Sequence, residues 1–369
     1  MRLVLSGGGT GGHVYPALSV AEAVRSALPA GETLELLYVG SASGNDAEIV
    51  ERAAVEFRGV NAAPIRGRMP WQMGMNAAKI ASGVTQARAI ISDFRPEVVL
   101  STGGYASFPV ALAARGKGVP LAVYLPDLSP GWAVRAIARL AQKVAVTAIE
   151  SLRKLPSGKT IVTGYPVRGE FWKADRASGR ERLGISPEEK VLFIGGGSTG
   201  AHRINRAVAS DLSGLLELCE VVHVSGLGDE PWLREIRDGM PDELRSRYHL
   251  HGYMHDEMPW AMAAADLALC RSGASVIGEL PALGLPAVLV PLPLAGAHQR
   301  VNAHYLEKQG AATVLEEEYL DNILPIVGTL LHDETRLKGM REASRRLARP
   351  NAATRLAGML LDLAKWTSR

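Results

Sequence analysis

The sequence predicts an α/β protein built as two parallel-sheet halves, and three observations carry that expectation. Short apolar, β-branched runs alternate with longer helical ones, as when strands buried on both faces are joined by helices. Three glycine clusters fall directly between a strand and a helix. The strand–glycine–helix pattern then restarts near residue 190, which divides the 369 residues into two domains of ordinary size. Each half is therefore expected to be Rossmann-like.

Taken in order, Arg2–Ser6 reads as a strand and Tyr15–Ala27 as a helix with Leu18, Ala21 and Val24 on its apolar face. Leu34–Val39 is the next strand and Asp46–Ala54 the next helix. Glu97–Ser101 is a strand leading into the second glycine cluster, and Leu121–Leu125 is another, followed by a helix over Ala133–Lys143. Gly164-Tyr165-Pro166 is the expected joint, giving domains 1–163 and 164–350. The second half opens on the strand Val191–Ile194 and continues through Val221–Val224, Leu267–Cys270 and Ala287–Val290. Ala353–Trp366 has the apolar face of a closing helix, so residues 351–369 are expected to strap back to the first domain.

Composition narrows the function. Apolar residues make up 47% and charged residues 21%, enough to build a core and unlike a disordered chain. A net charge of +3 is too small to argue for a nucleic-acid partner, and none is expected. Residues 1–163, however, carry 17 Lys+Arg against 11 Asp+Glu, whereas 164–369 carry 24 against 27, so the front half suits an anionic partner. The two cysteines, Cys219 and Cys270, cannot build a disulfide framework and read as small core residues. No apolar signal segment precedes the first glycine cluster. The uncharged run Leu280–Ala297 is broken by four prolines and reads as a short buried strand between loops, so a soluble cytoplasmic protein is expected.

The first cluster is Ser6-Gly7-Gly8-Gly9-Thr10-Gly11-Gly12-His13, the second Ser101-Thr102-Gly103-Gly104-Tyr105-Ala106-Ser107, the third Gly195-Gly196-Gly197-Ser198-Thr199-Gly200-Ala201. Glycines there bring the backbone close to a ligand, and the following helix offers unpaired N–H groups to phosphate. Gly7, Gly9 and Gly12 formally satisfy a dinucleotide fingerprint, but the second strand ends Tyr38-Val39-Gly40-Ser41 without the acid that would hold a ribose. Two loops in the basic half and one in the acidic half suit two diphosphate ligands meeting in an interdomain cleft. Arg271-Ser272-Gly273-Ala274-Ser275 opens another helix, with Glu279 expected two turns inside it; that carboxylate suits ribose hydroxyls or is a solvated helix charge. His298, Gln299 and Asn302 suit sugar hydroxyls or form a polar helix start.

These motifs resemble, in the same order, those of the MurG family, N-acetylglucosaminyltransferases that convert lipid I to lipid II. The matching segments are Gly8 to Leu18, Gly103-Gly104-Tyr105-Ala106-Ser107-Phe108-Pro109, Gly196 to Ala201, Arg271 to Ala274, and His298-Gln299 with Asn302-Ala303. The resemblance implies a GT-B fold, with the acceptor on the N-terminal domain, UDP-GlcNAc on the C-terminal one, and inverting transfer. By carry-over His13 becomes the general base on the acceptor hydroxyl, or a ligand-orienting group. Glu279 would hold the uridine ribose and Met254 the uracil, while Arg168, Ser198 and the third loop would stabilise the departing diphosphate. Gln299 and Asn302 would read GlcNAc hydroxyls, and Thr10, Gly11, Gly12, Thr199, Gly200, Ala274, Ser275 and His298 would complete the donor site. Gly103, Gly104, Tyr105 and Ser107 would cradle the lipid diphosphate. No Asp-x-Asp occurs in the chain, which agrees with a donor site that requires no metal, a divalent cation being at most a stimulant.

The chain departs from the family at two places. Leu125-Pro126-Asp127-Leu128 stands where the family has His-Glu-Gln-Asn, and Asp127 is the candidate acceptor-side replacement. Gly164-Tyr165-Pro166-Val167-Arg168 replaces Gly-Asn-Pro-Val-Arg and keeps the arginine. A transferase with another acceptor, a UDP-GlcNAc 2-epimerase-like isomerase and a non-catalytic nucleotide-sugar-binding subunit are the competing readings; the second glycine loop argues against the isomerase. Finally, Arg66 to Met75 mixes cations with Trp71 and methionines in an expected loop, and Arg135, Arg139 and Lys143 fall on one expected helix face. Both features suit reversible docking on an anionic membrane surface at the cytoplasmic face.

Overall fold

The computed structural model describes residues 1–8, 11–43, 46–63, 70–197, 200–293 and 298–365. It divides into two compact units, Met1–Arg168 with Arg349–Arg369, and Gly169–Ala348. The break thus falls after Arg168, five residues beyond the position read from the sequence. Gly164 marks the reason: its φ is +96°, and a Cβ there would meet Arg349 Cβ at 2.6 Å, so this segment packs against the returning C-terminal chain.

The first unit holds seven parallel strands: β1 (Arg2–Ser6), β2 (Glu35–Ser41), β3 (Glu56–Val60), β4 (Val98–Ser101), β5 (Leu121–Leu125), β6 (Lys143–Val146) and β7 (Thr160–Val162). Their spatial order is β3-β2-β1-β4-β5-β6-β7. In register, Ser6 of β1 lies beside Val39 of β2 and Ser101 of β4. The second unit holds β8 (Val191–Gly195), β9 (Glu220–Val224), β10 (Tyr248–His251), β11 (Leu267–Arg271), β12 (Ala287–Val290) and β13 (Ala312–Val314), in the order β10-β9-β8-β11-β12-β13. The central strands are buried throughout, as a sheet covered on both faces requires. The core of the first unit gathers Val4, Leu37, Val99, Val123 and Val144; that of the second, Leu192, Val221, Leu269, Val288 and Val327.

In each sheet the strand order reverses once, between β1 and β4 in the first and between β8 and β11 in the second. Such a switch point opens a crevice beyond the carboxyl ends of two neighbouring strands, because their connections leave in opposite directions. All three glycine clusters, and the Ser272–Ser275 loop, follow one of these four strands.

Several elements differ from the sequence reading. The first helix begins at Gly11, so Gly11, Gly12 and His13 form its first turn. The helix after β5 runs only from Trp132 to Leu140, and Lys143 opens β6, so Lys143 does not share a helix face with Arg135 and Arg139. Residues 66–69 of the cationic Arg66–Met75 stretch lie outside the described residues, and Pro70–Phe94 is a helix rather than a loop. The closing helix is Ala352–Leu363, packed along the Gly11–Ala27 helix. Trp366 lies outside the described residues. Both cysteines are buried and burial pushes both thiols up to about 12, so neither acts as a nucleophile at neutral pH.

Candidate active site

In the first unit the two glycine loops at the β1/β4 switch point hold one another. Gly104 has φ +86°, and a Cβ there would lie 2.5 Å from the carbonyl oxygen of Gly8, so only glycine permits this approach. Thr102, fully buried at the end of β4, is the clasp. Its N–H donates to Ser6 O at 2.8 Å and its hydroxyl to His13 O at 2.9 Å. The His13 ring returns the contact, with Nδ1 2.7 Å from Thr102 O. A carbonyl only accepts, so Nδ1 carries the proton and a neutral His13 presents its lone pair at Nε2. His13 is half-buried on the first turn of its helix, where Nε2 is the ring nitrogen left for chemistry.

The other first-unit candidates divide between exposed and supporting positions. Tyr105 is 51% exposed, whereas Ser107 is fully buried and donates to Gly103 O at 2.7 Å, bracing the loop from within. Asp127 is half-buried just past β5, the strand beside β4. Burial pushes the neighbouring Tyr124 phenol well above its ordinary value, and the charge of Asp127 adds to that. The resemblance implies a diphosphate-stabilising role for Arg168. It lies in the first unit, its guanidinium 4.5 Å over the Tyr15 ring. Tyr165, one of the two departures from the family pattern, donates to Gly12 O at 3.5 Å, on the same first turn as His13. Thr10 lies outside the described residues.

In the second unit the β8/β11 switch point carries the remaining loops. Gly200 has φ +74°, and a Cβ there would lie 2.6 Å from Ser225 O, which brings the third loop against the end of β9. Ser198 and Thr199 lie outside the described residues. The helix His202–Ser210 follows at once and turns its N-terminus toward this loop. Behind it, Asn205 donates to Ser225 O at 2.8 Å and accepts from His223 Nε2 at 3.0 Å, while Tyr248 donates to His223 Nδ1 at 2.8 Å. Burial pushes His223 down to about 3, so this support stays neutral at any physiological pH.

Beyond β11, Ser272 is fully buried and its hydroxyl has no hydrogen-bond partner among the described residues. Ala274 and Ser275 follow in a turn, and the next helix starts only at Val276, so Glu279 sits in its first turn rather than two turns inside. Glu279 is half-buried, and its N–H donates to Ser275 O at 2.8 Å. Met254 is buried just after β10. His298 opens the helix His298–Lys308, and its buried Nδ1 lacks a hydrogen-bond partner among the described residues. Gln299 accepts from the N–H of Leu292 at 3.0 Å. Asn302 is fully buried and donates to Ser272 O at 3.1 Å, which places it beneath the loop as a brace.

Sequence reasoning missed Thr102, Asn205, His223 and Tyr248. Only Thr102 carried a signal, its place between a strand end and paired glycines. The others are recognisable only from the buried hydrogen bonds that join distant segments.

Two parallel sheets with glycine loops at both switch points have the GT-B architecture, and the family matches make the chain a glycosyltransferase of that class. The N-terminal domain of glycosyltransferase family 28 matches residues 3–146 and its C-terminal domain residues 191–356. A UDP-N-acetylglucosamine--N-acetylmuramyl-(pentapeptide) pyrophosphoryl-undecaprenol N-acetylglucosamine transferase of Roseiflexus sp. (strain RS-1) is 41% identical, covering 98% of this chain and 95% of its own. The chain belongs to the MurG family within glycosyltransferase family 28. Among solved structures, the MurG of Acinetobacter baumannii superposes with a TM-score of 0.74 at 24% identity, over 98% of this chain and 99% of its own. A UDP-GlcNAc 2-epimerase from Neisseria meningitidis, bound to UDP-GlcNAc, gives 0.70 at 16%, over 98% and 100%. Those two likenesses are of fold.

Proposed function

We propose that the chain is an inverting N-acetylglucosaminyltransferase that moves GlcNAc from UDP-GlcNAc to the undecaprenyl-diphosphate-linked muramyl peptide, forming lipid II in peptidoglycan synthesis. The observation that carries the reading is the His13–Thr102 clasp between two glycine loops at one switch point. His13 Nε2 takes the proton of the acceptor hydroxyl as its oxygen bonds to C1 of GlcNAc and the bond from C1 to the UDP oxygen breaks. The departing diphosphate gains negative charge. Backbone N–H groups of the third loop and the N-terminus of the His202 helix stabilise it, with Arg168 as a further cation. Glu279 takes the ribose hydroxyls and His298 and Gln299 the sugar, while Asn302 acts through the loop it braces. Asp127 fills the acceptor-side place left by the family's His-Glu-Gln-Asn run. The donor is held without a resident metal, in keeping with the lack of an Asp-x-Asp motif.

The isomerase reading shares the fold but needs no acceptor. Incubated alone with UDP-GlcNAc in excess chelator and followed by NMR, the protein is expected to leave the donor sugar unrearranged; an epimerised sugar, still joined to UDP or released from it by water, would overturn the transferase reading.

Membrane docking belongs to the same proposal. Among the described residues no helix is long and apolar enough to cross a membrane. A groove of about 440 Å³ on the first unit is lined by Arg135, Arg139, Arg153, Lys154, Leu155 and Pro156. The Trp132–Leu140 helix buries Ala133, Val134, Ile137 and Ala138 and leaves its two arginines in solvent. Ile149, 68% exposed, begins the turn that supplies Arg153 and Lys154. Four cations beside apolar side chains suit anionic headgroups at the cytoplasmic face, each worth about 1 kcal/mol near the surface. Flotation with anionic vesicles is expected at low salt and lost at high salt, and Arg139→Glu with Arg153→Glu should weaken it by roughly tenfold or more. Equal flotation of the double variant would place the contact elsewhere.

A further inference from the structure

One buried carboxylate in the second unit is tied to both switch-point loops. Glu317 is only 6% exposed and opens the short helical turn Glu317–Asn322. Its Oε2 lies 2.5 Å from Arg271 Nη2, and its Oε1 accepts from Arg203 Nη1 at 2.7 Å. Arg271 is the last residue of β11, from which Ser272–Ser275 hang, and Arg203 is the second residue of the helix that follows the third loop. The Arg271 side chain is 10% exposed and also donates to Val290 O, at the end of β12, at 3.4 Å.

A buried guanidinium keeps its place only while a carboxylate balances it. Without Glu317, Arg271 must reach for water, and its movement displaces the strand end that carries the Ser272–Ser275 loop. Arg203, whose side chain is 64% exposed, makes a second and weaker arm to the helix that follows the third loop. We propose that Glu317 is a positioning residue that couples these two loops and sets their geometry for a nucleoside diphosphate. The inference rests on the reading of the second unit as the donor-binding half, and Glu317 acts through Arg271 and Arg203 without touching the donor.

The test is calorimetric titration of UDP into the full-length parent, Glu317→Gln and Glu317→Asp, with steady-state kinetics alongside. Glu317→Gln is expected to weaken UDP by about tenfold and to raise KM for UDP-GlcNAc in step, with kcat at saturating donor far less changed. Glu317→Asp keeps the charge and should recover part of the loss. A merely structural role would lower the fraction of protein that binds and leave the dissociation constant of that fraction unchanged, which overturns the proposal. Should the variants not fold, amide exchange of the parent decides it. Coupling is reciprocal, so saturating UDP must slow exchange in 271–275 and in 315–320 together, and protection of the first segment alone overturns the proposal. A parent that binds no UDP overturns the reading of the second unit, and this inference with it. A parent and Glu317→Gln that bind UDP equally overturn this inference alone.

Discussion

Substituting asparagine for His13 is expected to lower kcat for GlcNAc transfer by roughly 10²–10⁴-fold while UDP affinity stays at the parent value. The amide nitrogen of asparagine falls at the Nδ1 position, so it can still donate to Thr102 O, the bond that His13 Nδ1 makes at 2.7 Å, and preserves the clasp between the two glycine loops. What it lacks is a basic lone pair at the Nε2 position. A loss confined to kcat therefore isolates proton abstraction from loop architecture. His13→Ala removes both, and should add a fall in thermal stability. Steady-state kinetics with both substrates varied checks this. A drop in donor affinity equal to the drop in kcat would make His13 a ligand-orienting group.

Replacement of Asp266 by alanine is expected to destabilise the second unit by about 3–5 kcal/mol, the largest stability effect expected in that half. Asp266 is buried just before β11, 2.9 Å from Arg180 and 3.1 Å from Arg176, and it accepts from the N–H of Val191 at 3.0 Å. Arg180 is itself 2% exposed and donates to the carbonyls of Ala264, Ser186 and Pro187. Removing the carboxylate strands a buried cation and orphans the first N–H of β8, the strand that leads into the third loop. Arg341, 3.6 Å from Asp266 and 31% exposed, is a contrast: its loss should cost under about 1 kcal/mol. Urea unfolding with and without UDP measures both. UDP should restore part of the Asp266→Ala deficit, because a ligand of the folded second unit shifts the equilibrium toward it.

The central strands and glycine loops were legible because a buried parallel strand is a continuous apolar run, and the glycines mark where the backbone must turn or approach closely. Leu121–Leu125 and Ala287–Val290 were read to the residue. Edge strands carried no such run. In β3 a charged and glycine-bearing Glu-Phe-Arg-Gly-Val pairs along one side only, and β10 alternates Tyr248, His249, Leu250 and His251 between core and partial exposure. Lys143 read as the end of a helix face because its spacing from Arg139 fits one. The helix stops at Leu140, and the cationic groove is completed by Arg153 and Lys154 from a turn that no periodicity announces.

The candidate site was legible as a set of motifs and illegible as a set of roles. Asn302 and Ser107 sit in motifs that suggest ligand contact, yet both are fully buried and spend hydrogen bonds on loop carbonyls. Arg168 follows a joint-like Gly-Tyr-Pro, yet it packs on Tyr15 because Gly164 and the returning C-terminal chain hold that segment in the first unit. Glu317 belongs to the acidic run Glu316-Glu317-Glu318, where sequence cannot tell a buried ion pair from a solvated charge.

The most direct test of the account follows label from UDP-[¹⁴C]GlcNAc into lipid, using purified full-length protein, a short-chain undecaprenyl-diphosphate-muramyl-peptide analogue and excess chelator. Expected are stoichiometric release of UDP and a labelled disaccharide-linked lipid with the β configuration at the new bond, formed by the parent and not by His13→Asn. Tight binding of UDP-GlcNAc with no label in the lipid, by a parent protein folded as described, would contradict it.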